Sequence, residues 1–209
     1  MICTWKYKLI LVALYAVAHG FFYVYPNLHP WFEPRQLPLL SLDRSIPFLP
    51  WTFWVYTSDY VLILSVVVLL REKAHFDAFA RMAFGVIIGC GLFFLFYPTV
   101  YPRPSYPETG SSLLGAPMRF IQVVDTPGNC FPSMHVALTG VSAWALRLRR
   151  RRLAWIYGLW TLAISLSTLT TKQHYLWDIA GGGAIMWVIA VGERLYWEKQ
   201  NYGNSGSGC

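Results

Sequence analysis

Six apolar segments with few charges inside them leave this chain few ways to fold. Residues 7–25, 53–70, 79–97, 132–147, 153–171 and 175–192 cross or nearly cross about 30 Å of hydrocarbon at roughly 1.5 Å per helical residue. Some of them draw on neighbouring polar residues to complete the span. A chain that is 56% hydrophobic and only 13% charged has too few charges to cover a soluble globule of 209 residues. The expected fold is all-α, a six-transmembrane-helix bundle. Connections are short except for 26–52 and 98–131, so residues 1–200 read as one polytopic membrane domain and the polar, Gly/Ser-rich 201–209 as a flexible tail.

The net charge of +7 raises the question of nucleic acid, but the positions of the 17 Lys and Arg answer it differently. With the N-terminus inside, the inner segments carry Lys6, Lys8, Arg71, Lys73, Arg81, Arg147, Arg149 to Arg152, Arg194 and Lys199. The outer segments carry Arg35, Arg44, Arg103, Arg119 and Lys172. This bias follows the positive-inside rule, with both termini cytoplasmic. The basic run 147–152 reads as an anchor near anionic headgroups, and no nucleic-acid partner is expected. In a bacterium the membrane would be the inner one and the opposite face periplasmic.

Lys6, Lys8 and the apolar run to Ala18 resemble a signal peptide, but Phe21 to Tyr25 continue the run to spanning length, so a retained helix is expected. Cys3, Cys90, Cys130 and Cys209 have no metal-ligand spacing, and only Cys90 and Cys130 fall on one side.

Two stretches place titratable residues at the edge of apolar runs: Cys130-Phe-Pro-Ser-Met-His135 and Ser167-Thr-Leu-Thr-Thr-Lys-Gln-His-Tyr-Leu-Trp-Asp178. His174 and Asp178 are four apart and share a helix face. The carboxylate can therefore take the imidazole Nδ1–H and leave Nε2 as a nucleophile or base. Pro132 and Ser133 read as a helix start, whose free N–H groups beside His135 suit an anion. Both stretches face the non-cytoplasmic side, which places the active site at that membrane face.

Elsewhere the readings are plainer. The Pro- and aromatic-rich loop 26–52 suits a lid at headgroup level, with Asp43 and Arg44 pairing to brace it. His29 and His75 read as solvated residues, and Asp59 as a satisfied interfacial carboxylate rather than a proton relay. Gly85, Gly89 and Gly91, and Gly181 to Gly183, mark close helix approaches. Arg103, between Pro102 and Pro104, has a partly preset backbone useful for bidentate phosphate binding. Residues 118–124 fit an interfacial helix or strand, Arg119 stays open, and Asp125 and Asn129 read as turn residues.

Taken together these parts fit phosphoryl transfer. His174, oriented by Asp178, attacks phosphorus; Arg103, Ser133 and Lys172 hold the oxygens; His135 protonates the leaving oxygen. With no convincing metal spacing, side chains would neutralise the charge, and neither metal nor cofactor is expected.

The same residues resemble the type 2 phosphatidic acid phosphatase superfamily, whose pattern is K-x6-R-P, then P-S-x-H, then S-R-x5-H-x3-D. Arg103-Pro104, Pro132-Ser-Met-His135, and Ser167, His174 and Asp178 match it. The resemblance implies His174 as nucleophile, Asp178 as its orienter, His135 as acid, and Arg103 and Ser133 as phosphate ligands. Two cations of the pattern are missing, replaced by Phe96 and Thr168; Lys172 is expected to restore one charge. The strings around His135 and His174 look closer to the inositol phosphorylceramide synthase-like branch. The resemblance implies a membrane lipid phosphatase acting on a phospholipid or polyprenyl-phosphate substrate, or a phosphotransferase moving a phospho-headgroup to an alcohol. A proton-coupled transporter also places His and Asp in membranes, but such relays lie near mid-membrane rather than at one face.

Overall fold

The computed structural model describes residues 1–103, 115–124, 127–147 and 149–205; among these the regular structure is helical, joined by loops that carry three isolated bridges. The readings of Pro104 and Asp125 fall outside the described residues. Helix α1 (Trp5–His19) begins at Thr4, whose hydroxyl accepts the Tyr7 N–H, and passes through a π-helical turn (Gly20–Val24) into α2 (Tyr25–Leu28). The outer loop that follows folds a short α3 (Ser41–Ser45). Then come α4 (Phe53–Leu69), α5 (Lys73–Phe96), α6 (Gly115–Val124), α7 (Met134–Leu146), α8 (Arg151–Thr170) and α9 (Leu176–Ser205).

Among the described residues five helices are long and apolar enough to cross a membrane: Trp5–Leu28, Pro50–Leu69, Lys73–Phe96, Arg151–Thr170 and Leu176–Gln200. The expected sixth span, 132–147, is a helix of only 13 residues, about 20 Å long. The physical reason lies in its surroundings. Helix α7 is packed by α4, α5, α8 and α9, and nearly every side chain along it is buried. A helix enclosed by protein has no need to match the hydrocarbon thickness. Pro132 and Ser133, counted as span from sequence, form its entry instead.

Close helix approach is built from small residues. Gly85 and Gly89 of α5, marked for this in the sequence, face Ile189 and Ile185 of α9, and Gly140 of α7 lies under Met186 of α9. The α4–α8 contact is polar: Trp160 donates its indole N–H to Ser58 Oγ at 2.7 Å, and the hydroxyls of Thr52 and Thr170 meet at 2.8 Å. Such bonds satisfy polar groups that hydrocarbon cannot.

The basic segments gather at one end of the bundle. Cys3 N–H donates to the Arg71 carbonyl, Lys73 N–H to that of Met1, and Arg149 and Arg81 pair with Glu72 and Glu193. His75 is not the solvated residue expected; its ring stacks on Trp197 at 6.1 Å and its Nδ1 lies 3.3 Å from Glu72. At the opposite end, α6 is a helix, with Met118 and Ile121 buried near Phe53 and Tyr56 while Arg119 is exposed.

Candidate active site

The two signature stretches meet because α9 starts with glycines. A Cβ on Gly182 would collide with the Ser133 carbonyl oxygen, and one on Gly181 with the Phe131 ring. Without those atoms the entry to α7 lies directly on α9, and the Ser133 N–H donates to the Asp178 carbonyl at 2.9 Å. Ser133 caps α7, its Oγ accepting from Val136 N–H at 3.5 Å. The N–H groups of the first turn of α7 therefore open next to His135.

His174 is positioned by a tight turn between α8 and α9. The Thr168 carbonyl accepts from both Gln173 N–H (2.9 Å) and His174 N–H (3.2 Å), and Lys172 adopts a left-handed φ of 56°. Asp178 Oδ2 takes the His174 Nδ1–H at 3.0 Å and the Tyr175 N–H at 2.9 Å. Asp178 is fully buried, so the carboxylate has few alternatives and the ring is held with Nε2 outward. This is the pair read from the four-residue spacing.

His135 arrives from α7 with its ring centroid 5.5 Å from that of His174, the planes at 70°. Its Nε2 is 3.7 Å from Asp59 Oδ2, and the Tyr56 ring packs at 4.7 Å. Asp59, read from the sequence as a satisfied interfacial carboxylate, is 4% exposed on α4 and stands beside His135. Sequence spacing carried no signal for this, because Asp59 and His135 come from different helices. A buried carboxylate inside an apolar helix was the available hint.

The strip that ends at Arg103 is held by Tyr175, whose ring meets Tyr101 at 4.6 Å and whose hydroxyl donates to the Val100 carbonyl at 3.0 Å. The same strip is fastened to the signature loop: Phe131 N–H donates to Thr99 Oγ1 (2.8 Å) and Tyr101 N–H to the Pro127 carbonyl (3.0 Å). Burial, reinforced by Cys130 and Asp178 nearby, pushes the Tyr175 hydroxyl far above its ordinary range, so it stays a proton donor. Asn129, in left-handed backbone, donates its amide to the Tyr23 carbonyl at 2.7 Å and pins this loop to the π-helical turn.

One sequence expectation changes, and Lys172 has further contacts. Asp43 does not brace its loop through Arg44; its carboxylate accepts from Leu40 N–H (2.8 Å) and from Leu176 N–H at the start of α9 (2.9 Å). Lys172, expected on phosphate because of its charge, directs its ammonium to the Asp43 carbonyl at 2.9 Å and the Ile46 carbonyl at 2.6 Å. Burial lowers its pKa, with the Asp43 charge opposing. These contacts clasp α3 over the site. The positions of the two missing cations hold no charge: Phe96 is exposed and edges against Trp31, and Thr168 is buried with its hydroxyl on the Ser165 carbonyl.

Folding also assembles a group that spacing could not reveal. Cys130, His174 and Asp178 bring one ligand-type atom each to within 4.8 Å of one another. Two of those residues already hydrogen-bond to each other, and the Cys130 thiol donates to the Pro127 carbonyl at 3.1 Å.

A family model described as the PAP2 superfamily matches residues 36–192, well over half of the chain. The chain belongs to the PAP2 superfamily. Neither the curated proteins nor the solved structures yield a match to it. PAP2 superfamily membership carries a phosphatase or phosphotransferase type of function, and the matched region contains α3 to the body of α9, with every residue placed above between Asp43 and Asp178.

Proposed function

We propose that this chain is an integral-membrane lipid phosphatase that hydrolyses a lipid phosphate or pyrophosphate monoester through a phosphohistidine. The observation that carries the reading is the meeting of two imidazoles from separate helices, 5.5 Å between centroids, one of them held by a buried carboxylate. His174 Nε2 attacks phosphorus, and the bond to the lipid oxygen breaks as His135 gives that oxygen a proton. Water then attacks the phosphohistidine, His135 takes its proton, and phosphate leaves with His174 restored. Arg103, the Ser133 hydroxyl and the N–H groups at the start of α7 stabilise the charge on the transferring oxygens. Lys172 is assigned the clasp on α3 as its main work.

The membrane setting supports a lipid substrate over a soluble one. The gathering of basic segments at the end away from the histidines, with the positive-inside rule, supports cytoplasmic termini and a non-cytoplasmic site, periplasmic in a bacterium. The second reading is headgroup transfer to an alcohol, as in the inositol phosphorylceramide synthase-like branch, favoured by the strings around His135 and His174. Purified protein in detergent with a chelator should release phosphate from a short-chain lipid phosphate, and His174→Ala should abolish it. A labelled headgroup moving to a lipid alcohol, with no free phosphate, selects transfer instead. Neither activity sinks both.

A further inference from the structure

A pocket lies at the end of the bundle away from the histidines, where α5, α7 and α9 converge, with His75, Trp144, Arg147, Arg194 and Trp197 in its lining. The Arg147 guanidinium, just past the end of α7, sits over the Trp144 ring, 3.7 Å from its centroid. An aromatic face attracts the charge but takes up none of the guanidinium's N–H donors. Burial lowers the Arg147 pKa and the neighbouring Arg194 charge lowers it further, and among the described residues no carboxylate pairs with it. Arg194 is committed to Glu198 at 2.7 Å, and Glu193 to Arg81. Three arginines and two glutamates therefore leave one positive charge over. Beside it the Trp197 indole, stacked on His75 at 6.1 Å, buries its N–H with no acceptor. A buried donor without a bond is costly, so such a group points to a missing partner.

We infer that this pocket is a binding site for a phosphate-bearing anion, the headgroup of an acidic membrane lipid, held by Arg147 and the Trp197 N–H. Both unused groups are donors, so the ligand supplies acceptor oxygens, and the surplus charge calls for an anion. A guanidinium edge offers parallel N–H groups that match a pair of phosphate oxygens. The location favours lipid as the source. Basic pockets between membrane helices take acidic headgroups, and Leu195, next to Arg194 on α9, is 58% exposed, as a residue facing hydrocarbon would be. The site differs from the basic run that follows it: Arg149 to Arg152 are exposed and hold headgroups only by screened attraction, whereas Arg147 and Trp197 are half-buried and fixed by ring contacts. It is also separate from the chemistry, because α7 carries His135 near one end and Arg147 past the other, about 18 Å apart along the helix. The inference does not rest on the phosphatase reading.

The test is the thermal midpoint of the purified protein in neutral detergent. Added phosphatidylglycerol is expected to raise it by about 4 °C or more, and phosphatidylcholine, which has no net charge, by much less. Arg147→Gln and Trp197→Phe should each remove most of that rise, while Arg150→Gln combined with Arg151→Gln on the exposed run keeps it. Trp197→Phe is the milder change, since it keeps a ring against His75 and deletes the N–H, and native mass spectrometry of bound phosphatidylglycerol in the same proteins gives a second readout. An equal rise with inorganic phosphate, lost in the same variants, upholds the phosphate site and overturns lipid as its source. No rise with either anion, or a rise that Arg147→Gln and Trp197→Phe retain, overturns the site. None of these readouts uses phosphate release, so failure of the phosphatase reading would leave the site standing.

Discussion

His135 Nε2 of α7 lies 3.7 Å from Asp59 Oδ2 of α4, so both imidazoles at this site have a buried carboxylate beside them. For His174 the carboxylate sits one turn away on the same chain segment and fixes the tautomer. For His135 it comes from another helix and stands 3.7 Å from Nε2. Asp59→Asn is expected to lower kcat by at least tenfold with KM within about threefold, and Asp59→Glu to recover part of it. Unchanged kcat in the Asn variant would leave Asp59 a packing residue.

The acid role of His135 is tested by the leaving group. An alkoxide needs a proton as it departs, whereas a nitrophenolate does not. His135→Asn should therefore cost about 10²-fold or more on an alkyl phosphate and far less on p-nitrophenyl phosphate. Equal losses on both would move His135 from proton donor to phosphate contact.

Asp178→Asn should leave His174 in place but with the wrong tautomer favoured, since an amide offers N–H as readily as oxygen. A loss of about 10²-fold or more in kcat is expected, with the thermal midpoint in detergent shifting only a few degrees. A larger collapse in midpoint would assign the carboxylate chiefly to the Tyr175 N–H it also accepts.

The glycines of α9 separate packing from propensity. A Cβ at Gly182 meets the Ser133 carbonyl, which is backbone and cannot step aside, whereas at Gly183 nothing lies within 4 Å. Gly182→Ala should destabilise by about 1–3 kcal/mol and reduce activity, because it pushes the α7 entry off Asp178. Gly183→Ala should be neutral or stabilising by up to about 1 kcal/mol from helix propensity. Thermal midpoints of the pair decide this.

Lys172→Met removes a clasp on two carbonyls of the outer loop. The expected result is a lower thermal midpoint with less than tenfold loss in kcat/KM. A loss near 10²-fold at unchanged midpoint would place the ammonium on the transferring phosphate.

Much of this was legible in the residue order, because its causes are local. Apolar runs long enough to cross hydrocarbon dictate helices, and those helices appear where expected, although α5 starts at Lys73 rather than 79, α9 runs to Ser205 rather than 192 and into the stretch read as a tail, and α7 is shorter. His174 and Asp178 pair as their four-residue spacing suggested, though not on one helix face: His174 lies in the turn ahead of α9 and Asp178 in that helix's first turn; Ser133 caps α7 because the Pro-Ser start implies it. The aspartate of the outer loop was misread for the opposite reason. Charge alone put Asp43 on Arg44, but its carboxylate is fixed by backbone N–H groups, one of them far along the chain and invisible to composition.

What the order of residues determined by itself was the apolar helices and the pairing of His174 with Asp178 four residues on. Only packing decided that α7 could be short, that Asp59 would stand beside His135, that Cys130 would join His174 and Asp178, and that Arg147 and Trp197 would line one pocket. The division is physical: helical periodicity is set by neighbours in sequence, whereas a contact between helices depends on which small residues let two surfaces close, and no single helix contains that information.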